Sequence, residues 1–237
     1  MRLLGPAPAW YSSRPLMRAR LKQKEVLCIM KTFALVGASD FNAEEFARLD
    51  AQDAFSCVIA VDGGFASLEE AGRKPDMALG DFDSLGYVPR GIRTVRFSSH
   101  KDKSDMELAL ERAKTDGADE AIVFGALGRR LDHTLANLQL FARFSEAGLR
   151  VTAIGEAEAI VFVTGPDAFE APAREIGTVS VFAMNDACEG VFERGLEWEL
   201  DDVTLTNRTS WGLSNQLIGE AVMIGVERGT IAIFYPL

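Results

Sequence analysis

The stretch ALGDFDSLG, residues 78–86, places two carboxylates two positions apart at the end of an apolar run. Asp81 and Asp83 have no lysine or arginine between them, and two such charges about 4 Å apart repel by roughly 4 kcal/mol at an effective dielectric constant near 20. A shared Mg²⁺ would offset that repulsion, because this hard cation takes carboxylate and phosphate oxygens as ligands. The alternative is an Asx turn, in which each aspartate accepts a hydrogen bond from a nearby backbone N–H.

A second cluster of charges lies in KDKSDMELAL, residues 101–110. Its loop alternates bases with acids, in the order Lys101, Asp102, Lys103 and Asp105. Ser104 and Glu107 have the spacing of a capping box, which predicts that Asp105 occupies the first turn of a helix. An acid in that position can simply stabilise the helix dipole. Acids for a metal and bases for phosphate within one loop are, however, the composition that a nucleotide site requires.

A glycine pair follows another apolar run in VDGGF, residues 61–65. Asp62 ends the predicted strand, and Gly63 and Gly64 allow close backbone approach before a helix whose free N–H groups can bind an anion. The alternative for this pair is a plain tight turn. The chain contains neither a Walker A sequence nor a G-x-G-x-x-G motif, so the standard P-loop and dinucleotide sites are not expected.

The loop GALGRRLDH, residues 125–133, combines glycines with charged side chains. Arg129 and Arg130 offer guanidinium groups that suit phosphate. Asp132 lies where the next helix should begin. The alternative is that Asp132 is an ordinary N-cap and that the two arginines are solvated. His133 could act as a base or be an ordinary surface or core histidine. Because the chain has only two histidines, a histidine-rich metal site and a serine–histidine triad are not expected, which leaves carboxylate–Mg²⁺ chemistry on a phosphate ester or anhydride.

The composition restricts the classes of partner. The 237 residues carry 35 acids against 25 bases, a formal net charge of −10, which argues against a nucleic-acid partner because phosphate backbones require a basic face. Cys28, Cys57 and Cys188 fit no zinc spacing and no disulfide framework, so reduced thiols in a cytoplasmic protein are expected. No apolar run reaches the roughly 18 residues of a membrane span, and no membrane partner is expected.

Short apolar runs alternate with helical patterns from residue 31 to about 154. The runs TFALVGA, CVIAVDGG, MALGDFDS, IRTVRFS, EAIVFGALG and RVTAIG indicate strands buried on both faces. Four segments between them indicate helices, and the last one carries a face of apolar residues: Leu131, Leu135, Leu138 and Ala142. This alternation predicts an α/β, Rossmann-like domain over residues 30–155, a mostly parallel sheet with flanking helices whose ligands bind at the carboxyl ends of the strands.

The pattern changes after residue 156. Short strand-like runs follow, separated by glycine, asparagine and aspartate and without a helical pattern: AEAIVFVTG, TVSVFAM, EGVFERG, EWELDDVTLTN, EAVMIGVERG and TIAIFYPL. This predicts an all-β sandwich domain over residues 156–237, which is small enough to need packing against the first domain or a partner.

The first 29 residues differ from the rest of the chain. They carry six basic residues against the single acid Glu25, and three prolines interrupt them. A transit peptide has this composition. The alternative is an upstream start, with Met30 as the natural first residue. Either way, we predict a basic extension that is not part of the fold.

Taken in order, the motifs DGG, GDFDS, KDKSD, GALGRRLDH and, near the end, GLSN resemble those of the thiamine pyrophosphokinase family. The resemblance runs from about Lys31 to the carboxyl terminus. It implies an α/β nucleotide domain followed by a β-sandwich, and transfer of the pyrophosphoryl group of ATP to thiamine, with Mg²⁺ as cofactor and AMP as the other product. It also implies a homodimer that binds thiamine between its subunits.

The resemblance carries over to individual positions. It implies that the Mg²⁺ ligands are Asp81, Asp83 and Asp105, with Asp62 and Asp102 close by. It places Arg130 and Asp132 beside the substrates, and Ser214, Asn215 and Trp198 in the part of the chain that binds thiamine. The remaining candidates for the nucleotide side are Gly63, Gly64, Lys101, Lys103, Arg129 and His133. Arg129 stands where the family usually has a glycine, and a positive φ there would cost an arginine about 1 kcal/mol.

The expected activity is therefore that of a thiamine pyrophosphokinase. The alternatives are a pyrophosphokinase for another hydroxymethyl heterocycle such as a pterin, a Mg²⁺-dependent phosphohydrolase, and a non-catalytic nucleotide-binding module. For the acceptor, thiamine's fixed positive charge and flat ring favour an aromatic wall in an acidic protein. Trp198 and Trp211 are candidates for that wall, and the alternative is that both belong to the sandwich core.

Overall fold

The computed structural model describes residues 30–98 and 100–237, so the predicted amino-terminal extension and Cys28 lie outside the described residues. The described chain forms four helices: α1 (Ala43–Asp50), α2 (Gly64–Glu70), α3 (Asp105–Thr115) and α4 (Leu131–Glu146). It also forms fourteen strands: β1 (Thr32–Val36), β2 (Cys57–Val61), β3 (Met77–Gly80), β4 (Arg93–Arg96), β5 (Glu120–Phe124), β6 (Arg150–Ile154), β7 (Glu158–Thr164), β8 (Asp167–Ala171), β9 (Thr178–Ala183), β10 (Cys188–Arg194), β11 (Leu200–Leu205), β12 (Asn215–Gln216), β13 (Val222–Val226) and β14 (Thr230–Pro236).

Ten of these strands form one mixed sheet, in the order β12-β9-β14-β7-β6-β5-β1-β2-β3-β4. The six strands from β6 to β4 are parallel. The chain runs outward from β1 to β4 and then returns to place β5 on the other side of β1. The chain connections leave β1 and β5 in opposite directions along the sheet. The carboxyl ends of these two strands therefore mark a topological switch point, the position where ligands bind in open α/β sheets.

Five of the six parallel strands are buried on both faces, as their continuous apolar sequences predict. The expectation is wrong for β4, which lies at the edge of the sheet and has Arg93 and Arg96 exposed. In β1, Ala34 and Val36 belong to one hydrophobic cluster, whereas Phe33 and Leu35 belong to the cluster on the opposite face. Side chains alternate between the faces of a strand, so a sheet covered on both sides requires apolar residues at every position. The predicted α/β class with flanking helices is confirmed.

The carboxyl-terminal half divides its strands between two sheets. β7, β9, β12 and β14 extend the parallel sheet with antiparallel neighbours, and β11, β10, β13 and β8 form a separate four-stranded antiparallel sheet. Alternate residues of β14, such as Ile231 and Ile233, share a hydrophobic cluster with Val222 and Ile224 of β13. Hydrogen bonding between β6 and β7 runs across the predicted division at residue 156, so the two predicted domains share one sheet.

All twelve strand-like runs identified in the sequence form strands, and two further strands, β8 and β12, accompany them. The apolar face predicted for α4 is wrong at its amino-terminal end. Leu131 and Leu135 are 83% and 59% exposed, whereas Asn137, Phe141 and Phe144 are buried. Ala142 is buried and Leu138 packs against the core, so the predicted face is confirmed in the second half of α4, whereas the first two leucines are uncovered.

Glycines let the loops at the carboxyl edge of the sheet approach one another closely. A Cβ atom on Gly64 would lie 1.9 Å from the carbonyl oxygen of Val36, and one on Gly125, where φ is +60°, would lie 2.3 Å from the carbonyl oxygen of Gly37. Gly64 of the VDGG motif is therefore required for packing α2 against β1, and a Cβ atom on Gly63 would lie 2.8 Å from both Ala38 Cβ and Ser84 Oγ. None of the helices in the described part of the chain is long and apolar enough to cross a membrane.

Candidate active site

Three aspartates that are distant in sequence meet at the carboxyl edge of the sheet. Asp62 directly follows β2, Asp81 directly follows β3, and Asp105 is the first residue of α3. One carboxylate oxygen from each lies within 4.8 Å of those from the other two. Adjacent parallel strands end at the same edge, so β2 and β3 bring the first two acids together, and the loop after β4 supplies the third.

Asp62 is held by its backbone to β3 and by its side chain to the turn that follows β3. Its backbone adopts φ +48°, and its N–H donates to the carbonyl oxygen of Leu79 at 2.8 Å. Its Oδ2 accepts a hydrogen bond from Ser84 Oγ at 2.6 Å. Its Oδ1 is buried, and no residue in the described ranges donates a hydrogen bond to it. An uncommon backbone conformation and an unsatisfied carboxylate oxygen at one residue both indicate a site for a ligand.

The two aspartates of GDFDS take different roles. Phe82 between them has φ +62° and is only 2% exposed, so its ring anchors the turn in the core. The Asp83 N–H donates to Asp81 Oδ1 at 3.2 Å, and this bond, aided by Lys101, lowers the pKa of Asp81 although burial opposes it. The Asp83 side chain is exposed and lies outside the group of three acids, where Asp62 is found instead. Asp81 thus combines the Asx turn with a position in the acidic group.

The ammonium group of Lys101 lies between two of the three acids. Its Nζ is 2.8 Å from Asp105 Oδ1 and 3.4 Å from Asp81 Oδ2. Burial alone would lower the pKa of Lys101, but these contacts raise it. Burial raises the pKa of Asp105, aided by the charges of Asp81 and Asp62 and opposed by Lys101. The lysine is therefore the local counter-charge of the acidic group.

The other charges of the KDKSD loop point elsewhere. The Asp102 side chain is exposed, and Lys103 forms a surface ion pair with Glu111 at 2.6 Å. Ser104 caps α3, because its side chain accepts a hydrogen bond from the Glu107 N–H at 3.2 Å. The predicted cap and the position of Asp105 in the first turn are therefore as expected from the sequence.

The loop of residues 125–133 bends at Gly128, whose φ is +92°. Arg129, which replaces the glycine of the resembling family, is not among the described residues with positive φ, so its backbone carries no left-handed strain. Its Nε lies 3.3 Å from Asp40 Oδ1. Asn137 supports this loop from α4 through a 2.7 Å hydrogen bond from Nδ2 to the carbonyl oxygen of Ala126.

Arg130 and Asp132 form an exposed ion pair with Nη2–Oδ2 at 2.6 Å. The hydrogen bond from Arg130 lowers the pKa of Asp132. Asp132 does not cap α4: the N-cap position belongs to Arg130, and Asp132 lies in the first turn. His133 is exposed. All three side chains are thus free to meet a ligand from solvent.

The candidate residues of the carboxyl-terminal half group around β12. Asn215 is buried and contacts the backbone of Trp198 at two atoms, whereas Ser214 is exposed and has φ +63°. Trp198 and Trp211 are 60% and 59% exposed. This exposure excludes the alternative that the two indole rings belong to the sandwich core.

Three contacts of the site were not anticipated from the sequence. Ser84 donates to Asp62, Asp40 pairs with Arg129, and the buried acid Glu193 accepts a hydrogen bond from Asn215. A signal existed for Glu193, because it lies two residues after Val191 in β10 and must share its inward face. Ser84 and Asp40 lie in loops, where no periodic pattern fixes the direction of a side chain.

Two family models match two separate parts of the chain, and the candidate site residues fall into the same two parts. Residues 50–153 match the family described as thiamin pyrophosphokinase, catalytic domain, and residues 169–231 match the family described as thiamin pyrophosphokinase, vitamin B1 binding domain. The first match contains the three clustered aspartates, and the second contains Trp198 and Asn215.

Individual relatives agree with these matches. A thiamine pyrophosphokinase of Bacillus subtilis is 27% identical over 182 residues, covering 73% of this chain and 84% of that protein. Thiamine pyrophosphokinase 1 of Oryza sativa subsp. japonica is 25% identical over 166 residues, covering 64% and 62%. Among solved structures, the B. subtilis enzyme superposes with a TM-score of 0.74 at 22% identity, covering 87% of this chain and 99% of that one. The enzyme from Candida albicans gives 0.69 at 17% identity, with 87% and 90% covered.

The acidic group predicts which aspartates bind a divalent cation. We expect Asp62→Asn, Asp81→Asn and Asp105→Asn each to weaken Mn²⁺ binding by at least about 10–100-fold, the loss typical even for residues that only support a metal ligand. Asp83→Asn is the matched control and should bind Mn²⁺ like the wild type, because its carboxylate lies outside the group. Electron paramagnetic resonance of free and bound Mn²⁺ measures the difference. Weakened binding in Asp83→Asn alone would show that the cation binds elsewhere on the turn.

The position of Lys101 predicts a stability that depends on the cation. Lys101→Met leaves two partly buried carboxylates without their counter-charge, so we expect a loss of about 1–2 kcal/mol and a melting temperature lower by about 2–8 °C without Mg²⁺. Mg²⁺ should reduce that deficit by supplying the missing charge. Lys103→Met is the control, since its ion pair is on the surface and should respond little in either condition. An equal deficit with and without Mg²⁺ would contradict the counter-charge role of Lys101.

Proposed function

The chain belongs to the thiamin pyrophosphokinase family, and from that premise we propose that it transfers the pyrophosphoryl group of ATP to the hydroxyl group of thiamine. In this reaction the thiamine oxygen forms a bond to the β-phosphorus and the bond from that phosphorus to the α,β-bridging oxygen breaks. AMP leaves with the electron pair, and the hydroxyl proton is released. The observation that carries the proposal is the group of three aspartates inside the catalytic-domain match, which suits a metal–polyphosphate substrate.

We propose that Mg²⁺ is held by Asp62, Asp81 and Asp105. The donor set fits this ion: three carboxylates offer oxygens within 4.8 Å of one another, and the buried Asp62 Oδ1 has no hydrogen-bond donor among the described residues. Bound Mg²⁺ neutralises charge on the phosphate oxygens. Asp83 belongs to the site through its backbone, because its N–H orients the Asp81 carboxylate. This proposal replaces the set expected from the sequence, in which Asp83 stood in the place of Asp62.

The cations around the edge of the sheet are proposed to orient the triphosphate. Lys101 is next to the acidic group and can move from a carboxylate to a phosphate oxygen without leaving the site. Arg129 and Arg130 are 75% and 65% exposed in their side chains, and each contacts one exposed acid. Exposed ion pairs contribute little to stability, so both guanidinium groups can exchange these partners for phosphate at little cost. Lys103, Asp102, Asp132 and His133 are further candidates at the rim.

The thiamine side is proposed to involve the exposed indole rings of Trp198 and Trp211 together with Ser214. A flat cationic ring is attracted to the face of an indole, and an exposed tryptophan in a vitamin B1 binding-domain match is suited to that contact. The left-handed conformation of Ser214 is the kind of backbone outlier that occurs at ligand sites. Its side chain is exposed next to β12 and is able to hydrogen-bond a substrate.

A second copy of the chain is proposed as the protein partner. Several large apolar side chains are exposed on α4 and around β12: Leu131, Leu135, Trp198, Trp211, Leu213 and Ile218. Exposed apolar residues in this number favour a contact surface. A homodimer that buries the residues around β12 would place the indole rings between subunits, and the resemblance to the family implies that thiamine binds there. The free thiols of Cys57 and Cys188 support a reducing, cytoplasmic location.

The activity is tested by measuring AMP formed from ATP. We expect AMP only when both thiamine and Mg²⁺ are present, because the hydroxyl group is the acceptor and the acidic group needs its cation. The same assay with 6-hydroxymethyl-dihydropterin in place of thiamine tests the other pyrophosphokinase reading, and we expect no AMP from it.

Three results would contradict the proposal. A pterin that outperforms thiamine would leave the pyrophosphokinase class but change the acceptor. ATP loss that is independent of any alcohol would indicate a phosphohydrolase. ATP binding without turnover would indicate a nucleotide-binding module.

A further inference from the structure

The buried acid Glu193 contacts the thiamine side of the proposed site from inside the protein. It lies in β10 with an exposure of 1%, on the same inward face as Val191. Its Oε2 accepts a hydrogen bond from Asn215 Nδ2 at 2.8 Å. Its Oε1 is buried and receives no hydrogen bond from any residue of the described chain. A carboxyl group in this environment is costly, so its presence at a core position calls for a function.

Asn215 uses every hydrogen-bonding position of its side chain. Its Nδ2 donates to Glu193 and, at 2.6 Å, to the carbonyl oxygen of Trp198. Its Oδ1 accepts from the N–H of Trp198 at 3.1 Å and from the N–H of Gln216 at 2.9 Å. An amide has two donors and two acceptor lone pairs, so all four are engaged. Asn215 therefore cannot bind a ligand without breaking an internal hydrogen bond, and it serves to join β12 to the Trp198 turn, residues 195–199.

We propose that Glu193 is a positioning residue for the thiamine side of the site, acting through Asn215 on the Trp198 turn. The inference rests on the proposed function, because it depends on Trp198 contacting the acceptor. Glu193 and the Trp198 carbonyl both present acceptor oxygens to one edge of the amide, and this fixes the edge that carries Nδ2. The opposite edge then presents Oδ1 to the Trp198 N–H. Glu193 thereby holds in place the backbone of Trp198, the residue that carries the exposed indole ring.

Glutamine is the matched replacement for Glu193, because its side-chain carbonyl oxygen can accept the same hydrogen bond from Asn215 Nδ2. Burial raises the pKa of Glu193, and the hydrogen bond from Asn215 opposes that effect. Glu193→Gln is therefore the matched control, whereas Glu193→Met has a similar volume and removes the acceptor.

The test compares KM for thiamine, KM for ATP and kcat in these two variants and in the wild type. We expect Glu193→Met to raise KM for thiamine about fivefold, the effect of losing roughly one hydrogen bond, and to leave KM for ATP within about twofold. Glu193→Gln should retain both wild-type KM values. In parallel, hydrogen exchange of the Trp198 N–H should be faster in Glu193→Met than in Glu193→Gln, because the amide that accepts this hydrogen bond is no longer fixed.

Each outcome decides the inference. Equal rises in both KM values, or unchanged exchange at Trp198, would show that Glu193 only fills space in the core. If the wild type forms no thiamine-dependent AMP, the proposed function fails, and the exchange measurement still decides whether Glu193 fixes the Trp198 turn. If Glu193→Met does not fold, Glu193→Leu provides the test, since it also lacks the acceptor oxygen and leaves Asn215 in place. It should show the same selective rise in KM for thiamine.

Discussion

Electrostatic repulsion among three carboxylates at one edge of the sheet is the constraint on which the site depends. Asp62, Asp81 and Asp105 present oxygens within 4.8 Å of one another, and each pair of charges at such distances repels by a few kcal/mol at an effective dielectric constant near 20. The Lys101 ammonium group, 2.8 Å from Asp105 and 3.4 Å from Asp81, offsets part of this repulsion. Among the described residues, only the Ser84 hydroxyl group donates a hydrogen bond to the Asp62 carboxylate. The negative charge of the three acids is thus only partly compensated, so the group can bind a further cation.

The fold holds this arrangement through strained but well-anchored turns. Asp62 and Phe82 both have positive φ, a conformation that costs a residue with a side chain about 1–2 kcal/mol. Burial of the Phe82 ring offsets that cost and fixes the direction of Asp81. Beyond β6, the strands β7, β14, β9 and β12 extend the same sheet toward Asn215 and the Trp198 turn. One sheet therefore carries both the acidic group and the segment proposed to bind thiamine.

Sequence patterns predicted the elements better than the contacts between them. Short strand-like runs identified every parallel strand, although the edge strand β4 is not buried on both faces. The capping box placed Asp105 correctly, and both signals are local. The sequence could not show that Asp62, and not Asp83, belongs to the acidic group. Residues two apart share a face only on a strand, and here the buried Phe82 turns the chain between Asp81 and Asp83. The shared sheet could not be foreseen either, since strand partners after residue 156 are set by long-range packing. The inward position of Glu193 could be predicted from the alternation of side chains along a strand, but its hydrogen bond with Asn215 could not.

Asp62, Asp81 and Asp105 are proposed to form the cation site that serves ATP. Anomalous diffraction from crystals grown with Mn²⁺ and a non-hydrolysable ATP analogue would locate the cation. We expect an anomalous peak within bonding distance of oxygens from these three residues, with phosphate oxygens of the analogue on its other side. A peak bound to Asp83 and Asp102 instead, or nucleotide density at a distance from the three acids, would contradict this proposal.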